Sequence, residues 1–515
     1  MKKDVVKRVS GWIKGEVKYY ICFHEVALFI TAAVYCHNVV NYNVLVVLVT
    51  YFTLNLKKDT ICRSVLLVNV RAGLQILVKA WAYARSSDFR KISSFLTAAY
   101  ILGLVMFYLS ASNRIPNTSF GLYMFLSVLI AVGTAGGVSF LKTYLLDEFI
   151  AGHENISDIN YNRAQSRKKI WLVLAGLLLL FPTPLNFDKP WSRMFLNSMY
   201  MVGAASFLSF CGCCFSHQRH HPDTKLRAPK ASQPFNNDCN QLHESSPTAG
   251  AEAQQKSPSL CSVKQIENVG KIILRMIPMW SAFIVFGLVM STADTFFSLQ
   301  HNNMDHQIDN SYFLYAKEGL KVVSARLCEF LVSRRISRSQ QNLALKMIIC
   351  LGMTFSVLCP SFAWQVEVQR LKIVHERGLH GVSEGTKVPM SDLRLAPQFC
   401  LWGLAEGLAT SGLDKFFSYH VSKSMEDYGS EVFNTIPIGI GSFLSVVCVS
   451  AGKGWFGNTL NQSRLDNYYR MITVLAWINL CWFFFVSTFY STKEVVEEEE
   501  ADEGIQLQEI IVEVG

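Results

Sequence analysis

Met471-Ile-Thr-Val-Leu-Ala-Trp-Ile-Asn-Leu-Cys-Trp-Phe-Phe-Phe-Val-Ser-Thr-Phe-Tyr490 runs from end to end without a fixed charge. The hydrocarbon core of a bilayer is about 30 Å thick, so a helix that spans it needs ~20 mostly apolar residues. This stretch meets that length, and so does Ala27 to Val49. Leu122 to Val138 and Trp171 to Pro182 are further apolar runs between short charged connectors. In lipid each backbone N–H and C=O must be satisfied within the segment, which makes such runs helices rather than loops. The whole composition follows the same pattern: 50% hydrophobic and 17% charged, where a soluble globular chain carries about 25% charged residues. An all-α integral membrane protein is expected.

The net charge of +9 does not point to nucleic acid. The basic residues cluster at helix ends and connectors, as membrane topology requires, rather than on one face among aromatics. The 14 cysteines are scattered; those inside apolar runs, such as Cys36, Cys350, Cys359, Cys400, Cys448 and Cys481, act as small apolar residues, and no disulfide framework is suggested. The segment Met1 to Lys18 is charged and lacks a short apolar stretch with a cleavage site, so the first span is expected to act as its own insertion signal.

Twelve spans are expected: 24–50, 62–84, 95–112, 121–146, 169–183, 194–215, 271–299, 312–333, 343–365, 395–420, 432–452 and 470–491. The second carries Arg63, Arg71 and Lys79, and the eighth carries Lys317, Lys321, Arg326 and Glu329; on hydropathy alone ten spans would serve as well. Charges within a bundle usually face a polar cavity or a partner. Ser216 to Val263 is polar and nearly free of large apolar residues, the composition of a disordered linker. Its basic start (Arg219, Lys225, Arg227, Lys230) and the basic N-terminus lie on the cytoplasmic side by the positive-inside rule. The acidic tail, with Glu497 to Glu500 in one run, is compatible with a cytoplasmic C-terminus. The expected organisation is a six-helix bundle over 1–215, a cytoplasmic linker over 216–263, a second six-helix bundle over 264–492 and an acidic tail over 493–515. This is the two-halves plan of the major facilitator transporters.

A series of motifs narrows this further. In the second half they are Arg275-Met-Ile-Pro-Met-Trp280, Thr295-Phe-Phe297, Met304-Asp305, Val388-Pro-Met-Ser391 and Ala396-Pro-Gln-Phe-Cys-Leu-Trp-Gly-Leu-Ala-Glu406. Phe416-Phe417, Ser424-Met425, Gly439-Ile-Gly-Ser-Phe-Leu-Ser445, Leu460-Asn461 and Arg464-Leu465-Asp466 follow in order. In the first half they are Leu48-Val-Thr-Tyr51, Asn69, Gly73, Gly133-Thr134, Gly136 and Asp147-Glu-Phe149. Together they resemble the plant nitrate/peptide transporter family, a branch of the proton-coupled oligopeptide transporters. The likeness covers most of the chain except the linker and roughly 150–190.

The resemblance also marks departures. Relatives carry Glu-x-x-Glu-Arg or Glu-x-x-Glu-Lys in the first span, where the carboxylates take the coupling proton; the matching places here are Val34, His37 and Asn38. The usual fourth-span lysine is Val138. Relatives carry Asp-x-x-x-Gly-Arg between the second and third spans, where this chain has Tyr83, Ser87 and Asp88. Met290 stands where a nitrate-binding relative has histidine, so nitrate recognition is not carried over. Deleting one partner of a buried charge pair costs about 3–5 kcal/mol, whereas deleting all partners can be neutral. A concerted loss is therefore coherent, and the usual proton coupling is expected to be absent.

Six residues are candidates for the solute or proton pathway: Glu406, His37, Asn38, Asp294, Asp414 and Lys142. Glu406 lies mid-span, matches the family's tenth-span glutamate, and is a candidate both for solute contact and for carrying a proton on its own; a structural interhelical bond is the alternative. His37 replaces a coupling carboxylate, and histidine titrates near physiological pH; a neutral ring bonded to Asn38 or Asn41 is the plainer reading. Asp294 precedes the phenylalanine pair, Asp414 lies near the end of the tenth span, and Lys142 comes one turn after Val138. Each has an ordinary alternative, an interhelical bond for the acids and a snorkelling amine for Lys142.

Cys211, Cys213, Cys214, His217, His220 and His221 crowd the end of the sixth span. They lack the paired spacing of a zinc site, and juxtamembrane palmitoylation is the stronger alternative to free thiols. Asn117-Thr-Ser119 and Asn461-Gln-Ser463 are glycosylation sequons that the topology puts outside. The Gly133 to Gly137 cluster serves close helix packing rather than phosphate binding.

The expected function is a carrier of a small solute (nitrate, peptide or another small metabolite class, by resemblance) working by alternating access. Protons are a candidate partner, the lipid bilayer is an expected one, and a monomer or weak homodimer in the plasma or vacuolar membrane is expected. No cofactor, metal or enzymatic activity is expected. The alternative is a family member that no longer transports and acts as a sensor or partner-binding protein.

Overall fold

A computed structural model describes residues 25–56, 59–84, 89–114, 119–151, 158–178, 190–219, 258–305, 307–333, 338–381, 387–420 and 432–514. The chain divides into two compact units, Met1–Gln255 and Lys256–Gly515. The first holds α1 (Glu25–Asn55), α2 (Thr60–Ala84), α3 (Phe89–Ala111), α4 (Phe120–Ala151), α5 (Asp158–Leu178) and α6 (Trp191–Arg219). The second opens with α7 (Pro258–Thr292), which passes through a π-helical turn (Ala293–Phe297) into the short α8 (Ser298–Asn303). It continues with α9 (Asn310–Ser333), α10 (Arg338–Glu376), α11 (Ala396–His420), α12 (Thr435–Ala451) and α13 (Leu465–Val514).

The fold is all-α, as hydropathy and backbone satisfaction require. Among the described residues seven helices are long and apolar enough to cross a membrane, among them Thr60–Ala82, Leu274–Asn303, Gln340–Glu376 and Leu465–Thr488. The charge-bearing second helix is thus one of them, whereas α9 with its lysines is not. Their outward faces are apolar: Leu343, Met347 and Leu351 on α10 and Val474, Trp477 and Phe485 on α13 are exposed. An apolar surface of this extent suits lipid rather than water.

Three boundaries differ from those expected. α5 begins at Asp158, ahead of the expected 169, because Asn160 to Lys169 is polar yet free of helix breakers. The expected linker is helical at both ends, to Arg219 and from Pro258, while 220–257 lies outside the described residues. Proline suits the first helical position, where its missing N–H costs no bond. The acidic tail continues α13 to Val514, since glutamate and alanine are good helix formers.

In the first unit α1 packs on α6, and α4 on α2 and α3. Tyr51 anchors this packing: its hydroxyl shares a 2.9 Å hydrogen bond with Ser110, and its ring meets Phe107, Tyr123, Trp191 and Phe195 edge-on. In the second unit α11 lies between α9 and α10, and α7 packs on α12. A two-residue strand, β1 (Met304–Asp305), pairs in parallel with β2 (Val388–Ser391). These strands hold the end of α8 to the start of α11, where Asp392 accepts from the backbone N–H groups of Gln307 and Ile308 at 3.1 and 3.0 Å.

Candidate functional site

In α11, Gly403 and Gly407 recur one turn apart, the small-xxx-small spacing that lets helices approach closely. A Cβ at Gly403 would fall within 3.1 Å of the Lys317 carbonyl carbon, and one at Gly407 within 3.0 Å of that of Lys321. The missing side chains therefore bring the α11 backbone against α9. Glu406 sits beside these glycines and meets both lysines: Lys317 Nζ lies 2.6 Å from Glu406 Oε2, and Lys321 Nζ 2.5 Å from Oε1. Glu318 completes the cluster, 2.6 Å from Lys317 Nζ and 3.8 Å from Lys321 Nζ. Lys317 also lies 4.2 Å from the centre of the Trp402 ring, a cation–π contact.

The contact predicts that Gly407→Ala lowers stability by about 1–3 kcal/mol, the cost of forcing extra volume into a packed site. Gly319 faces open space, so Gly319→Ala should be neutral or stabilising by up to ~1 kcal/mol. Thermal unfolding of both variants checks the pair; equal melting temperatures would contradict the close-packing argument.

The cluster changes how Glu406 is understood. It is an ion-paired carboxylate held by two ammonium groups, not a lone acid in an apolar wall. In the sequence Lys317 and Lys321 stand out only as charges that weaken a span, and Glu318 does not stand out at all. The available signal was the 3.6-residue period of α9, which sets Lys317 and Lys321 on one face one turn apart.

Asp294 belongs to the same neighbourhood. It is the exposed residue of the π-helical turn, whose other members Ala293, Thr295, Phe296 and Phe297 are buried, and its charge acts on Lys317. Thr295 Oγ1 donates to the Ser291 carbonyl at 2.9 Å, and Ser291 shares a 2.7 Å bond with Ser442 on α12. These bonds fix the turn that presents Asp294. π-helical turns of this kind are rare and occur frequently at functional sites.

Asp414 is tied elsewhere. It accepts from Asn434 Nδ2 at 2.9 Å, while Asn434 Oδ1 accepts from the Trp280 indole at 2.9 Å. This chain joins α11 to α7 and gives Asp414 an interhelical role, away from the Glu406 pair.

The remaining candidates lie in the first unit. His37 is buried, with its ring parallel to that of Tyr100 at a 6.4 Å centroid distance. A Cβ at Gly137 would fall 2.8 Å from His37 Cε1, so the glycine makes room for the imidazole. Asn38 and Lys142 are half-buried. Val34 is buried in an apolar cluster with Ile30, Leu145 and Phe149, and Val138 packs against the same cluster. Two of the positions where the resemblance expects charge thus share one apolar surface. Among the described residues no group of three or more His, Cys, Asp or Glu is arranged to hold a metal ion. Cys213 and Cys214 are exposed, and His220 and His221 lie outside the described residues.

A second polar centre escaped the sequence reading. Glu367 and Arg370 on α10 are fully buried and paired at 2.6 Å. Arg370 uses all five N–H donors: two on Glu367 (2.9 and 2.6 Å), and one each on Asn303, Asn461 (2.7 Å both) and the Leu460 carbonyl (3.1 Å). Gln300 donates to Glu367 at 2.7 Å and accepts from Tyr469 at 2.9 Å. Asn461, the first residue of a sequon, is thereby buried as a structural acceptor.

Known proteins resemble this arrangement of helices and residues. The sequence profile of the POT family (PTR2) matches residues 195–457. Protein NRT1/PTR FAMILY 5.5 of Arabidopsis thaliana is 26% identical over 448 residues, covering 77% of this chain and 83% of that relative. Protein NRT1/PTR FAMILY 5.4 of the same plant is 28% identical over 260 residues, covering 47% of this chain and 46% of its own, so the chain spans about half the length of that relative. Among solved structures, an auto-inhibited POT family peptide transporter superposes with a TM-score of 0.63 at 12% identity, covering 90% of this chain and 97% of its own. The POT family transporter PepTSo gives 0.61 at 12% identity, covering 91% and 99%.

Proposed function

The chain belongs to the POT family, and from that premise we infer that it is a membrane carrier that moves a small solute by alternating access. The observation that carries this reading is the mid-helix cluster of Lys317, Lys321, Glu318 and Glu406. Ionisable side chains within membrane helices are expensive and mark solute or ion pathways. The N-terminus and the segment 216–263 are assigned to the cytoplasm by their basic residues, and the acidic C-terminal tail is compatible with the same side.

The carriage is uncoupled from the usual first-span proton site. Two features support this: the matching positions hold Val34, His37 and Asn38, and Val34 and Val138 face a common apolar cluster. Glu406 is engaged by two ammonium groups and offers no separate acid to replace that site.

Uptake in oocytes across a broad panel of nitrate, amino acids, peptides and sugars, at acidic and at neutral pH, tests both statements. Uptake of at least one solute is expected, with a rate that does not rise on acidification. A rate rising with proton concentration would overturn the uncoupled mechanism. Absence of uptake of every solute, with the protein at the surface, would replace the carrier reading by that of a sensor.

A further inference from the structure

The C-terminal end of α10 closes on a sharp chain reversal. His375 lies in the last turn of this helix. Gly378 then takes a φ of 64°, the left-handed conformation in which helices commonly end on glycine. Its N–H donates to the His375 carbonyl at 3.2 Å. The reversal leads into a 3₁₀ turn, Leu379–Gly381. It sets the His380 ring beside that of His375, with the ring centres 5.8 Å apart and the planes at 67°. Both histidines are exposed.

The second ring is held in place from the interior. His380 Nδ1 lies 3.1 Å from the Asn461 carbonyl. A carbonyl only accepts, so Nδ1 carries the proton and Nε2 keeps its lone pair. Asn461 is buried and its side chain accepts from Arg370, which anchors the imidazole to the Glu367–Arg370 centre. A ring N–H bonded to a carbonyl is the support that metal-ligating histidines almost always have, because it fixes the tautomer and raises the basicity of the other nitrogen. Among the described residues no hydrogen bond takes up Nε2 of His380 or either nitrogen of His375.

We propose that His375 and His380 bind a divalent transition-metal ion of the zinc, copper or nickel class, through His380 Nε2 and a ring nitrogen of His375, with water in the remaining positions. Imidazole suits these ions, whereas magnesium and calcium select oxygen ligands. The spacing fits: at a metal–nitrogen bond of about 2.1 Å and a tetrahedral angle, two imidazole centres on one ion stand roughly 5 Å apart. A small rotation of the exposed His375 ring closes the difference from 5.8 Å. The charged residues beside the pair in sequence are Lys372, Glu376 and Arg377. Lys372 and Glu376 lie 3.9 Å from each other and are exposed, as is Arg377, so water and salt screen all three. Two protein ligands make an open, exchangeable site, unlike a structural zinc with its four. The bound ion fastens the end of α10 to the turn that packs on Leu460–Gln462.

The site is independent of the carrier reading and is measured as binding, without uptake. The full chain, purified in detergent without a polyhistidine tag, is dialysed against buffered free zinc, and the zinc bound per chain is compared with that of His375→Ala and His380→Ala. Thiols and imidazoles elsewhere, such as Cys211, Cys213, Cys214 and His217 near the end of α6, contribute equally to all three and cancel. Each variant is expected to bind this zinc about tenfold or more weakly, at least the loss that follows removal of a supporting hydrogen bond. Both rings are exposed, so the metal-free variants should melt at the parent temperature. Copper gives a second measure. The paramagnetic resonance of the copper lost in the variants should carry nitrogen ligation, and magnesium should not compete for the site. Equal zinc binding by the parent and both variants, or displacement of the zinc by magnesium, would overturn the assignment.

Discussion

Glutamine in place of Glu367 is expected to destabilise the folded chain by about 3–5 kcal/mol, the cost of stranding one member of a buried ion pair. Glu367 and Arg370 are both at 0% exposure, so water cannot take over the lost charge. Glutamine keeps the shape but turns one acceptor oxygen into an NH₂ donor, which must then face Arg370 Nε and Gln300 Nε2 or Arg370 Nη2, all donors themselves. The effect should spread, because the same arginine holds Asn303, Asn461 and the Leu460 carbonyl, joining α8, α10 and the segment before α13. The Glu367→Leu/Arg370→Leu double variant should recover part of the loss, since no charge is then left alone. Recovery stays incomplete because Asn303 and Asn461 still lose their donor. Thermal unfolding in detergent separates these cases. Melting of Glu367→Gln at the parent temperature would mean that the pair is open to water in the working protein.

Glu406→Gln should reduce uptake, normalised to protein at the surface, by about tenfold or more, taking 1.4 kcal/mol per decade. Two ammonium groups would then share a single carboxylate, Glu318, at 2.6 and 3.8 Å, and their mutual repulsion would drive Lys321 away from α11. Glu406→Asp keeps the charge on a shorter stem and should fall between the two. Removing a cation at the same time, as Glu406→Gln with Lys317→Met, restores the charge count and should recover protein yield but not uptake. Uptake by Glu406→Gln at the parent rate would remove the cluster from the transport pathway.

The two expectations differ in how far the sequence anticipates them. Glu406 was legible because an acid at mid-helix between Leu401 and Leu413 conflicts with its apolar surroundings, a local contrast. Its partners were not. Lys317 and Lys321 lie 85 or more residues earlier, and in a linear reading they only dilute a hydrophobic run. The Glu367–Arg370 pair has helical spacing on α10, but the sequence near the end of a long helix reads equally well as a solvated face. Burial is what makes it a centre, and burial comes from α8, α11 and α13. Asn461 is the sharpest case. Its sequon marks a modification site in one dimension, while in three it is an acceptor for Arg370.

The sequence by itself determined that this chain lives in a membrane, that it is helical, and where most of its spans fall. Those properties depend on runs of ~20 neighbouring residues and on the absence of water around their backbones. Only the tertiary structure decided which charges meet. An ion pair depends on distances between side chains, and here those distances are fixed by glycines that let α9 and α11 touch, a contact between segments remote from each other along the chain.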